Sequence, residues 1–123
     1  MAGKKYGKNL VKKPAREVKV TVPGKIKGRE FPTMTYMSND LVPGCNVYLE
    51  LGWIWAMPDP NPHILEHTHN YNELVLHIGS DPKNPEDLGA EIEYVIGGEP
   101  LIIDKTSAIF VPKGVKHGPL TWK

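Results

Sequence analysis

Glycine and proline interrupt this chain so often that a long helix has nowhere to form. Twelve of each are spread through 123 residues. Every proline removes a backbone donor and fixes φ, and every glycine weakens a helix interior. No stretch repeats apolar residues at a sustained helical period, so the chain is expected to be all-β. Runs rich in branched and aromatic residues mark the strands: Glu17 to Val22, Thr35 to Met37, Asn46 to Met57, Glu73 to Ile78, Ala90 to Ile96, Leu101 to Ile103 and Ala108 to Val111. Gly97-Gly98 tolerates positive φ at both positions and predicts a tight hairpin turn. The segment between Gly79 and Gly89 is polar and holds Pro82 and Pro85, which predicts an exposed loop with at most one helical turn, around Pro85 to Leu88. At least six short strands with close turns imply a sandwich or barrel.

Size and charge narrow the function classes. A 13.7 kDa chain suits one domain. Ten of the 15 Lys/Arg but only two of the 14 Asp/Glu fall in residues 1–30, which leaves +8 there and −7 in the remainder. The basic arm lacks interleaved aromatics and any RNA-binding signature, so no nucleic-acid partner is expected; it could instead lie against the acidic body of its own or a neighbouring subunit. No apolar run reaches a membrane span, and the Lys-rich start lacks the apolar stretch of a secretory signal, so a cytoplasmic address without membrane contact is expected. The lone Cys45 can form no internal disulfide and is expected as a buried thiol.

The residues that carry chemistry are His67, His69, Glu73 and His117. His67 and His69 are two apart, so an extended segment points both imidazoles to one side, and Glu73 shares their parity. His117 follows Pro112-Lys113-Gly114, where a fixed φ and a flexible glycine can turn the next histidine back toward the others. Neutral imidazoles with one carboxylate suit a divalent transition ion such as Fe, Mn, Zn or Ni, with positions left over for water or substrate. His77 has the parity of Glu73, which makes it a candidate for proton transfer or a core histidine. Tyr71 lies between the ligands, and Tyr48 would reach the same cavity if its strand face is inward. His63, in a proline-broken loop, is expected at the surface. Trp53 and Trp55 share one strand face and are expected as core or dimer contacts, or as an aromatic wall.

The pattern HxH(x)3E, read at His67, His69 and Glu73, followed by PxGxxH from Pro112 to His117, resembles the two motifs of the cupins. The resemblance runs from about Asn46 to Trp122. The stretch Leu76 to Gly98 also looks like a group of small uncharacterised bacterial cupins. It implies a double-stranded β-helix or jelly-roll barrel over residues 31–123, preceded by the basic arm of residues 1–30 with one strand. It also implies His67, His69, Glu73 and His117 as ligands of one divalent metal. Asn61, Thr106 and Thr121 stand where the family commonly has Gly, Gly and Asn, so the turns there are expected to differ. Six residues follow His117, too few for the further strand a cupin usually has, which suggests that the Glu17 to Val22 strand replaces it, folded back within the chain or swapped between the subunits of a homodimer.

The resemblance implies a metal-dependent enzyme acting on a small polar molecule, such as a carboxylate, sugar acid or carbonyl. The reaction classes are isomerisation, decarboxylation or other lyase chemistry, and dioxygenation. His77, Tyr71 and Tyr48 are the proton-transfer candidates. The alternative is a non-catalytic, metal-dependent ligand-binding or sensor protein.

Overall fold

Gly97 and Gly98 both take positive φ, 57° and 82°, and turn the chain between the two longest strands. That hairpin joins β7 (Asp87–Ile96) to β8 (Glu99–Lys105), with Ile96 paired to Glu99, as the sequence predicts. The computed structural model describes residues 5–18 and 24–123. Besides β7 and β8 they form β1 (Ala15–Glu17), β2 (Lys27–Arg29), β3 (Thr33–Met37), β4 (Leu49–Leu51), β5 (Ile54–Asp59), β6 (Glu73–His77), β9 (Ser107–Val111) and β10 (His117–Trp122). The helical content among them is a single 3-10 turn, Gly7–Asn9; at Pro85 and Glu86 the chain makes a hydrogen-bonded turn, closed by the Asp87 amide on the Asn84 carbonyl at 3.1 Å, rather than a helical one. Asp87 and Leu88 already belong to β7, paired across to Lys105.

The molecule is all-β, but its ladders make four sheets rather than one closed barrel: β1-β3-β4, β10-β7-β8 and β6-β9, all antiparallel, and β2-β5. Short strands and register breaks at Thr35/Met37, Asp87/Ile92 and His117/Leu120 interrupt continuous pairing. The chain divides into two units, Met1–Lys19 with Gly28–Ala56, and Val20–Lys27 with Met57–Lys123.

In the first unit β3 is the central strand, and its Thr33, Met34 and Thr35 are buried. The long run Asn46 to Met57 splits in two here. At Gly52 a Cβ would stand 3.2 Å from that of Glu30, and the Glu30 amide bonds to the Trp53 carbonyl at 2.8 Å; glycine permits this approach and the break follows. Trp53 and Trp55 are 63% and 66% exposed, which rules out the core position among the places expected for them and leaves the dimer contact and the aromatic wall. Cys45 is half-buried rather than buried, its thiol at 3.3 Å from the backbone of Val47. Of the strand expected from Glu17 to Val22, residues 19–23 lie outside those described, and the described strand ends at Glu17.

The second unit holds the core. Ile92 and Tyr94 of β7, Ile103 of β8 and Leu120 of β10 are buried together, with Val75, Ile96, Ile109 and Trp122 packed around them. The alternation on β7 explains this: Ile92 and Tyr94 are buried, whereas Glu91 is exposed. The few residues after His117 are themselves a strand, β10, paired to β7 on one edge. On its other edge the Leu120 amide bonds to Ile64. The Asn61 amide group also bonds the backbone carbonyl and amide of Trp122, at 2.8 and 3.0 Å. Asn61 therefore stands in for a strand residue, and Thr106 pins the 80–86 loop by accepting from Gly79 and donating to Pro85.

Candidate metal centre

His67 and His117 are locked side by side by their own backbones. The amide of each bonds the carbonyl of the other at 2.9 Å, an arrangement that sends both side chains to the same face. Their rings lie 4.2 Å apart between centroids. The Pro112–Gly114 turn completes the set: Val115 bonds back to Pro112 at 3.2 Å, and the Gly114 amide bonds the His69 carbonyl at 2.8 Å. Gly114 has φ +80°, a conformation side-chain-bearing residues resist. The hairpin-like closure thus brings a histidine from β10 to two from the preceding loop.

The imidazole nitrogens are assigned by their partners. His67 Nδ1 lies 2.7 Å from the Leu65 carbonyl and His117 Nδ1 lies 2.9 Å from the Val115 carbonyl. A carbonyl only accepts, so each Nδ1 carries a proton, which leaves Nε2 as the nitrogen free to offer a lone pair. Burial pulls the His69 pKa below its ordinary value, against the opposing pull of Glu73, and the two neighbouring histidines lower it further; the neutral ring is favoured. One ligating atom from each of His67, His69 and His117 falls within 4.8 Å of the others.

Glu73, at the start of β6, places a carboxylate beside two of the three imidazoles. Its Oε2 lies 3.1 Å from His117 Nε2 and 3.4 Å from His69 Nε2. Donors bound at about 2.1 Å around one ion stand roughly 3.0 to 3.4 Å apart. Glu73 Oε2 and His117 Nε2 are both sealed from solvent without a hydrogen-bond partner among the described residues. A carboxylate oxygen facing an imidazole lone pair at that distance is repulsive unless a proton or a cation lies between them. The three histidines lie close enough together to bind a metal ion, and the Glu73 carboxylate lies beside two of them.

The other sequence candidates fall in different places. Tyr71 stacks on His69, ring centroids 4.6 Å apart and planes 10° from parallel, and is 52% exposed. His77 shares the inward face of β6 with Glu73 and Val75, as parity predicts; burial lowers its pKa, and its Nδ1 has no hydrogen-bond partner among the described residues. Tyr48 belongs to the first unit, where its hydroxyl meets Glu17, Glu50 and Thr35. His63 is 2% exposed, which corrects its expected surface position. Sequence reasoning missed Tyr94, whose buried ring lies edge-on to both His77 and His117, at 6.4 and 6.5 Å. Burial and the nearby Glu73 charge push its phenol pKa up. The available signal was that Tyr94 is the one polar residue on the inward side of an otherwise aliphatic alternation, Ile92-Tyr94-Ile96.

A shallow, open depression adjoins the cluster, lined by Thr68, His69, Asn70, Lys113 and Gly114. His69 is the member of the histidine cluster that borders it. No helix among the described residues is long and apolar enough to cross a membrane. Comparison with protein-family models, curated proteins and solved structures finds no significant match for the chain.

Proposed function

We propose that the second unit is a divalent-metal site of the cupin type, a double-stranded β-helix fold, and that it serves an enzyme acting on a small polar organic molecule. The observation that carries this reading is the convergence of lone pairs. Two imidazoles are fixed as Nδ1–H tautomers by the carbonyls of Leu65 and Val115, which leaves Nε2 atoms beside a buried carboxylate oxygen at 3.1 Å. Histidine ligands are commonly oriented by such hydrogen bonds to the opposite nitrogen.

His67, His69, Glu73 and His117 would hold the ion. A bound divalent ion supplies Lewis acidity toward a substrate oxygen, with redox chemistry added if it is iron, manganese or nickel. The residues do the rest. Tyr71 steadies the His69 ring by stacking and presents a phenol at the exposed side, where it can donate a proton. His77, kept neutral by burial, is available as a proton acceptor on the Glu73 face. Tyr94 retains its proton and closes the inner side of the site with an aromatic edge.

Metal content decides the reading. Protein stripped with a chelator and titrated with Mn²⁺, Fe²⁺, Zn²⁺ or Ni²⁺ should take up one equivalent by calorimetry and elemental analysis. Replacing His69→Ala or His117→Ala should reduce affinity by about 100-fold or more, with the circular dichroism of the strands unchanged. Full affinity in both variants, or no stoichiometric binding of any of these ions by the parent, would remove it.

A further inference from the structure

We infer that the substrate of this site carries a carboxylate, and that the Lys113 ammonium binds it in the depression beside His69. The inference rests on the metal-centre reading and adds the substrate's charge and the residue that selects it.

Lys113 is the sole acidic or basic residue besides His69 in the lining of the depression; Thr68 and Asn70 contribute neutral hydrogen-bonding groups. Its backbone is held to the ligand loop. The Lys113 amide donates to Asn72 Oδ1 at 3.0 Å, and the next amide, Gly114, donates to the His69 carbonyl at 2.8 Å. The base of the lysine side chain therefore keeps a fixed relation to His69. Among the described residues no carboxylate pairs with Lys113.

Charge balance points the same way. Three uncharged imidazoles and one carboxylate leave a divalent ion with one net positive charge, and Lys113 adds a second. Positive charge at the mouth draws anions and repels cations. One ammonium flanked by an alcohol and an amide matches the two oxygens of a carboxylate. A phosphate, with three acceptor oxygens and more charge, is usually met by a guanidinium fork or a nest of amides, and the lining holds no arginine. The substrate thus reaches the metal with one end and Lys113 with a carboxylate at the other, His69 lying between them.

The test uses the full chain loaded with Co²⁺, whose visible absorption reports its coordination. Succinate and malonate are titrated alongside the neutral succinamide and malonamide, by calorimetry and by the cobalt band. The dicarboxylates should bind about tenfold or more tighter than the diamides, a preference that Lys113→Gln removes. Co²⁺ affinity should stay unchanged in that variant, and Lys113→Arg should keep most of the preference. Equal binding of acid and amide, or unchanged dicarboxylate affinity in Lys113→Gln, overturns the inference while leaving the metal site standing. Failure of the parent to bind Co²⁺ overturns the metal reading and this inference with it.

Discussion

Gly118 shows how one residue can tie the fold to the candidate site. It adopts φ +101°, and a Cβ there would stand 2.6 Å from the Leu65 carbonyl oxygen. That oxygen is the acceptor that fixes His67 Nδ1. Gly118→Ala must therefore move Leu65, with a stability loss of about 2 kcal/mol or more and a weakened metal affinity. Urea denaturation and metal titration of the same variant check both; full affinity in a destabilised variant would separate Leu65 from ligand orientation. At this scale the sequence was legible where chemistry is written in residue type. His67, His69 and His117 do converge, whereas the Nδ1 acceptors were hidden because they are backbone carbonyls, which every residue has.

β6 is the element on which alternation did most to place side chains. Glu73, Val75 and His77 turn to the partly buried side, and Leu74 and Leu76 to solvent. The imidazole of His77 is consequently held in a desolvated setting that resists protonation. The unfolded chain takes up that proton near pH 6.5, so below that value it binds more protons at this position than the folded chain does. Stability is full above about pH 6.5 and falls as the pH drops from there toward the lower folded pKa. Urea midpoints at about pH 7.5 and pH 5.5 should differ less in His77→Phe than in the parent; an unchanged difference would mean that His77 is hydrated in the folded state. Element identity was similarly readable for β6, β7, β8 and β9, which carry dense branched or aromatic runs. β2 and β10 were not foreseen, because Lys27-Gly28-Arg29 and a segment containing Gly118 and Pro119 have weak strand preference and gain order from their pairing partners.

For the molecule as a whole, the outer face of the β6-β9 sheet is the feature that a single chain leaves unresolved. Leu74 and Phe110 are paired across it, Leu76 lies opposite Ala108, and Ile78 follows. Leu74, Leu76, Ile78 and Phe110 are 63%, 53%, 70% and 61% exposed. Side chains of this size present on the order of 400 Å² of apolar surface together, about half of what one partner contributes to a standard interface. A homodimer centred on this face should sediment as a dimer at micromolar concentration and dissociate on Leu74→Lys with Phe110→Lys. A parent that sediments as a monomer would rule this arrangement out. By itself the sequence determined that the protein is all-β, where its strongest strands and its Gly97-Gly98 turn lie, and which histidines matter. These are properties of local conformational preference and side-chain chemistry. Only the tertiary structure decided that the ladders form four sheets, that Trp53 and Trp55 face solvent and that His63 does not. It also set Lys113 beside His69 and Tyr94 beside His117. Those outcomes depend on which distant segments pair and what they bury, and pairing between segments is an energy of the folded chain that no local run of residues encodes.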